Sequence, residues 1–250
     1  MIEKTKAFII NRRVYRDTSL LLTLYSYDFG KIEGIVKGVR KIQDYGRYDG
    51  ILNLFSSYEV VFYPRKSKFS LFVQFYLLNS YWDSIRDYSK FSTLCSAIEL
   101  LNHIMQPYED NKDVYNLIDF LLNEISTDRT DIVFYTFLLK LLKFSGFSPQ
   151  INECINCSKK IEYKGYLSIS EGALYCSKCS SKRSGLTSIS SGVIKSINFL
   201  KDEPYANIKR FLFTSQVRID LENIIAKFLE YHLAFTSKSW SELNSQTVCR

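Results

Sequence analysis

The chain has 250 residues, 46% of them apolar and 15% aromatic, with only four prolines. That composition excludes a disordered chain, and the length is enough for one or two buried cores. The formal charge of +7 is uneven: residues 1–80 hold 13 Lys/Arg against 7 Asp/Glu, and the rest of the chain 20 against 19. Asymmetry of this kind points to a polyanion partner for the basic third; the plainer reading is a solvated basic surface. The start, Met-Ile-Glu-Lys-Thr-Lys, lacks the basic region, long apolar stretch and cleavage site of a secretory leader. No run approaches the roughly 18 apolar residues of a membrane span, so no membrane association is expected. Six cysteines without an export signal favour the reducing cytoplasm, and metal thiolates over disulfides.

Residues 1–80 read as strands. Thr5 to Tyr15, Thr18 to Tyr27, Lys31 to Val39, Ile51 to Tyr63 and Ser70 to Leu78 are rich in β-branched and aromatic residues. Asp28-Phe29-Gly30-Lys31 is a turn in which Gly30 is free to take positive φ. Lys41 to Gly50 reads as a loop. Five short strands suit a small closed barrel of the oligonucleotide-binding (OB) kind, with an SH3-like barrel as the alternative.

From residue 81 the period becomes helical. Phe91, Leu94, Cys95, Ile98, Leu101 and Met105 form one stripe ended by Pro107, and Val114, Leu117, Ile118, Leu121, Leu122 and Ile125 form a second. Residues 131–145 are apolar on most sides, which predicts a central helix, stopped by Gly146 with Pro149 beyond. A polar linker, Ser180 to Ser188, leads to a short helix near Ser190–Leu200. A last helix is capped by Thr214 or Ser215 and buries Val217, Leu221, Ile225, Phe228 and His232. The fold class is therefore α+β: a barrel over 1–80 and a helical domain over 81–250, with an inserted ribbon at about 151–182.

That ribbon carries the most specific signal. Cys154 and Cys157 form one Cys-x-x-Cys pair, and Cys176 and Cys179 form another after eighteen intervening residues. The spacing predicts a Cys₄ zinc site, because each tight turn aims two thiolates at one ion and the intervening hairpin returns the second pair. Four thiolates leave no coordination position open, so Zn²⁺ here is structural. Tyr166–Ile169 and Ala173–Tyr175 are the expected ribbon strands, turning at Glu171-Gly172. Cys95 reads as core and Cys249 as a tail thiol. His103 falls on a polar helix face and His232 on an apolar one, where a hydrogen-bonded histidine is the expectation. The chain lacks a Walker A loop, a dinucleotide-binding glycine fingerprint and HExxH, and no enzyme activity is expected.

Three basic clusters stand near strand ends: Arg12, Arg13 and Arg16; Lys37, Arg40 and Lys41, with Arg47 beyond; and Arg65, Lys66 and Lys68. Tyr15, Tyr45, Tyr48 and Phe69 lie beside them. Cations that track phosphates, interleaved with flat rings on which bases stack, are what single-strand binding requires.

The order of these features resembles the bacterial recombination-mediator RecO family. The resemblance runs through Thr5-x-Ala7-Phe8-Ile9-Ile10, Leu21-Leu22-Thr23-Leu24-Tyr25-Ser26, Gly30 and Val36-Lys37-Gly38-Val39-Arg40-Lys41. It continues in Leu141-Leu142, Gly146-Phe147-Ser148-Pro149, the two cysteine pairs and Gly172. Ser158 replaces the glycine usual after the first pair, and Glu171-Gly172 replaces Gly-Gly. The resemblance implies an OB barrel, a helical domain and a zinc ribbon. It implies a cytoplasmic protein at the nucleoid that binds single- and double-stranded DNA and anneals complementary strands. With RecR such a protein helps load RecA on DNA coated by single-strand binding protein, whose acidic C-terminal tail it recognises. It makes Lys37, Arg40 and Lys41 the first candidates for DNA contact. The rival reading is a non-enzymatic zinc-ribbon adaptor that binds RNA or a protein assembly.

Overall fold

Alternating inward residues build the first core. The computed structural model describes residues 1–39, 52–65, 69–85 and 87–236. Strands β1 (Glu3–Tyr15), β2 (Ser19–Ser26), β3 (Gly30–Val36), β4 (Ser56–Tyr63) and β5 (Ser70–Ser80) close a barrel in the order β1-β2-β3-β5-β4. Ala7, Ile9, Leu20, Leu22, Leu24, Ile32, Val60, Phe62 and Phe72 fill its interior. β3 and β5 pair in parallel while every other contact is antiparallel. This Greek-key closure selects the OB barrel. Hydrogen-bonded partners followed once around, Val14, Leu20, Val36, Phe72, Phe62, arrive back on β1 at Glu3 rather than at Val14. The strands are accordingly strongly staggered, as closure of so few strands demands.

Two helices complete this unit. Helix α1 (Tyr88–Ile104) is capped by the Asp87 carboxylate, which accepts from Ser89 N, and α2 (Lys112–Glu124) by Asn111, which accepts from Asp113 N and Val114 N. The expected stripes are buried, with Phe91 and Cys95 only half-buried. Burial on α1 extends around to Ser92, Thr93, Ser96 and Ala97, whose small side chains allow close packing; Ser96 and Thr93 satisfy their hydroxyls on the carbonyls of Ser92 and Ser89. Rings seal helix to barrel: Tyr115 of α2 packs on Phe8 and Tyr27, and Tyr25 donates to the Asn111 carbonyl. The chain changes character at residue 80, yet these contacts make Met1–Asp128 one compact unit and Arg129–Arg250 the other.

The second unit is organised on α3 (Thr130–Phe144), buried at every position from Ile132 to Leu142. It ends in a Schellman motif: Phe147 N donates to Leu142 O and Gly146 N to Lys143 O, with Gly146 at φ +79°. The one cation on its buried stretch, Lys140, donates Nζ to the carbonyls of Lys201 and Glu203. These belong to the end of α5 (Ser191–Asp202), where a cation satisfies carbonyls that have no intrahelical partner. Helix α6 (Tyr205–Ile208) and α7 (Ser215–Leu233), capped by Thr214, complete the helical part.

A four-stranded sheet carries the cysteines: β6 (Gln150–Cys154), β7 (Lys164–Ser168), β8 (Ala173–Tyr175) and β9 (Thr187–Ser190), in the order β6-β8-β7-β9, with α4 (Ser177–Ser180) between β8 and β9. The β7–β8 hairpin lies where the sequence predicts it. The linker does not: its end, Thr187 and Ser188, forms half of β9 and pairs with β7 at Leu167 and Tyr166. A four-residue strand gives no periodicity to read, and its cause is tertiary, since it covers the open edge of β7.

Candidate metal centre and nucleic-acid interface

Backbone geometry places the four sulfurs. Cys154 closes β6, and the following turn brings Ser158 N back to Cys154 O at 2.8 Å. Ser158 takes φ +56°, which explains why glycine is the usual residue there; a serine pays roughly 1 kcal/mol in strain. Cys176 follows β8 and begins α4, with Cys179 N and Ser180 N donating to its carbonyl. All four sulfurs lie within 4.8 Å of one another, and Cys157 and Cys176 stand 3.8 Å apart. Ligands about 2.3 Å from one ion at tetrahedral angles would be separated by about 3.8 Å, so the sulfur cage fits Zn²⁺.

The electrostatics favour the thiolate at Cys154 and Cys176 and the thiol at Cys157. Burial opposes ionisation of Cys154, but the N–H groups of Cys176, Asn156 and Cys157 outweigh it and bring its thiol down to about 6. Cys157 accepts from Lys159 N, which favours its thiolate, yet its contacts with the other sulfurs, Cys154 first, keep the proton on it and push it up to about 11. Asn156 Nδ2 adds a donor to Cys179 Sγ at 3.4 Å. Behind the cage, Tyr175 donates to Glu171 at 2.6 Å, and Arg183 pairs with Glu171 at 3.0 Å while lying over the Tyr175 ring. This brace went unread in the sequence, because its members are separated by a turn and a helix.

Neither histidine joins the cage. His103 is exposed on α1. His232 Nε2 lies 2.6 Å from Ile169 O and its ring rests on Phe228, the hydrogen-bonded role expected of it. Cys95 is half-buried and its thiol is pushed up by burial. Cys249 lies outside the described residues.

Of the basic candidates, Arg12, Arg13, Arg16, Lys37 and Arg65 are described, while Arg40, Lys41, Arg47, Lys66 and Lys68, with Tyr45 and Tyr48, lie outside the described residues. The Tyr15 and Phe69 rings meet edge-on at 6.1 Å, which joins the β1–β2 turn to the β4–β5 turn. Arg16 lies over Tyr15, and Arg65 N reaches Ser70 at the start of β5. Lys37 directly follows Val36, the neighbour of Leu20 on β2 and of Phe72 on β5. The sheet thus gathers one member of each cluster about the β2–β3 wall and the two loops beside it, the surface with which OB barrels hold oligonucleotides. Arg13, Arg16, Lys37 and Arg65 are exposed. Arg12 differs: it is half-buried, with its guanidinium at Asn53.

Comparison with known proteins places this architecture. The family model described as "Recombination protein O N terminal" matches residues 1–81, and "Recombination protein O C terminal" matches residues 85–241. The chain belongs to the RecO family. Its relatives are called DNA repair protein RecO. The one from Thermoanaerobacter sp. (strain X514) is 22% identical over 97% of this chain and 97% of its own length. Those from Dehalococcoides mccartyi and Moorella thermoacetica are 26% and 25% identical, covering 97% and 96% of this chain and 95% and 90% of their own. RecO membership makes this a DNA repair protein, with an OB-type barrel, helices and a cysteine cluster fit for a metal. Among the described residues no helix is long and apolar enough to cross a membrane.

Proposed function

We propose that this chain is a recombination mediator without covalent chemistry of its own. It binds single- and double-stranded DNA through the barrel, anneals complementary strands, and acts with RecR to load RecA on DNA coated by single-strand binding protein, engaging that protein's acidic tail. Zn²⁺ is the metal of the Cys154/Cys157/Cys176/Cys179 cage and serves the fold of the ribbon. One observation supports the DNA reading above the rest. Arg13, Arg16, Lys37 and Arg65 are exposed and have no ion-pair partner among the described residues, beside two turns tied by Tyr15 and Phe69. Such cations neutralise phosphate and release counterions, and two strands so neutralised repel each other less.

The test is annealing of two complementary oligonucleotides coated with single-strand binding protein. Wild-type chain accelerates it, and the Lys37/Arg40/Lys41 triple alanine variant does not. DNA binding weakens with salt by a log–log slope of roughly −0.7 per phosphate contacted. A slope near zero, or DNA binding without faster annealing, would overturn the proposal.

A further inference from the structure

Strand β5 closes the barrel with its first residues only. On one side it pairs with β4 almost from end to end, from Leu71 at Tyr63 to Ser80 at Ser56. On the other side β3 covers Ser70, Leu71 and Phe72, and among the described residues no strand pairs with β5 beyond them. Val73–Ser80 is therefore the free edge of the sheet β1-β4-β5. The consequence shows on the face turned to the core. Leu77 pairs with Tyr58 and Phe75 with Val60, yet Tyr58 and Val60 are fully buried while Leu77 is 53% exposed. On the opposite face Tyr76, the partner of Glu59, is 52% exposed.

An open edge presents alternate N–H and C=O groups, which another extended strand satisfies as a ladder. Such edges are commonly guarded by charge or proline, and Val73–Ser80, Val-Gln-Phe-Tyr-Leu-Leu-Asn-Ser, contains neither. The absence of charge also selects the partner. Residues 1–80 carry 13 Lys/Arg against 7 Asp/Glu, so an acidic partner is drawn to the cationic loops rather than to this neutral edge. A second copy of the chain brings a strand with matching apolar side chains and no charge to oppose. Bulges at Val73 and Leu78, each an extra residue against β4, leave Gln74–Leu77 as the regular stretch. About a two-fold axis, residues that face each other across the pair must lie on the same side of the sheet. An axis at Tyr76 sets Tyr76 against Tyr76 and Phe75 against Leu77, apolar against apolar on both sides. An axis at Phe75 would instead oppose Tyr76 to Gln74, whose side-chain oxygen already accepts from the Tyr76 hydroxyl of its own strand.

We infer that β5 is a self-association edge: two copies of the chain pair antiparallel through Gln74–Leu77, about a two-fold axis at Tyr76, and join their sheets edge to edge. The pairing is isologous and consumes both edges, so it closes at a dimer. Its few residue pairs place it among weak, reversible associations. The use of the pair rests on the DNA-binding reading: two copies so joined carry two barrels, one for each of the strands to be annealed.

The experiment uses the full zinc-loaded chain. Sedimentation equilibrium from micromolar to millimolar concentration is expected to show monomer and dimer in equilibrium. Tyr76→Lys should weaken the dimer roughly tenfold or more by setting two cations face to face. Tyr76 is half-exposed, so this variant should keep the wild-type Tm. Tyr76→Cys, treated with diamide, should give a dimer cross-linked at position 76, because side chains directly opposite in an antiparallel pair approach disulfide reach. Val14→Cys, at an exposed position on β1, should not cross-link. Wild type that stays monomeric throughout, a dimer indifferent to Tyr76→Lys, or equal cross-linking of both cysteine variants would overturn the edge. Tyr76→Lys should also bind oligo-dT no less tightly than wild type and anneal complementary strands more slowly; unchanged annealing would overturn the use of the pair. Wild type that dimerises but binds no DNA would sink the mediator reading and leave the pair standing.

Discussion

Arg12 and Arg13 are adjacent in sequence and lie on opposite faces of the barrel wall. Ile9 pairs with Leu24 and Arg12 with Leu22, so Arg12 shares the side of the core-filling leucines, while Arg13 pairs with Leu21 on the other side. The cause is a bulge at Ile10, the extra residue between Ile9 and Asn11, which reverses the alternation for the rest of β1. Without it Arg13 would point inward. Arg13→Ala should therefore weaken oligonucleotide binding, with a salt slope smaller by about 0.7, and leave the Tm unchanged. Arg12→Ala should lower the Tm, because Arg12 Nη1 reaches Asn53, whose N–H donates to the Tyr58 hydroxyl. The reverse pattern in a binding titration and a melting curve would mean the face assignment is wrong.

The cage should behave as a folding element. Cys176→Ser removes a ligand from a site whose binding free energy is folding free energy. Metal content should fall from about one ion per chain to near zero, the Tm should drop, and a chelator should reproduce both changes in wild type. A variant that retained metal and melted like wild type would contradict the structural role.

Glu171 sets an acid dependence for the ribbon. Its carboxyl is held below the usual carboxylate range, first by the hydrogen bond from Tyr175, with Ser168 and Arg183 adding to it. A depressed pKa contributes stability that is complete above the unfolded value and is lost as pH falls through the folded one. The Tm gap between wild type and Glu171→Gln should thus be constant near neutrality and close in acid below about pH 4.5. A gap independent of pH would show that the charge on Glu171 is irrelevant.

Gly30 and Gly146 offer a paired test. Both have left-handed φ, +60° and +79°, but a Cβ at Gly146 would meet nothing, whereas at Gly30 it would collide with the Glu109 carbonyl in the link between α1 and α2. Gly146→Ala should cost roughly 1 kcal/mol of strain. Gly30→Ala should cost that plus about 1–3 kcal/mol for the displaced contact. Denaturant midpoints would measure both, and equal losses would exclude the close approach.

The sequence by itself determined the features whose cause is local. The paired cysteines declared the cage because knuckle geometry depends on two intervening residues. The apolar run at 131–145 declared a buried helix because few of its faces could meet water, and Gly146 its end. Strand composition marked all five barrel strands to within a few residues at most ends, though β4 begins at Ser56 rather than Ile51, which lies outside the described residues. Only the tertiary structure decided what depends on distant partners. The parallel β3–β5 pairing selected the OB barrel over its rival, an issue that strand composition alone leaves open. The bulge at Ile10 separated two neighbouring arginines that look equivalent in sequence. β9 exists because β7 has an edge to cover, and Gly30 matters because Glu109 returns to it across almost eighty residues. Composition records how much charge a chain has, and folding decides which charges meet their counterions.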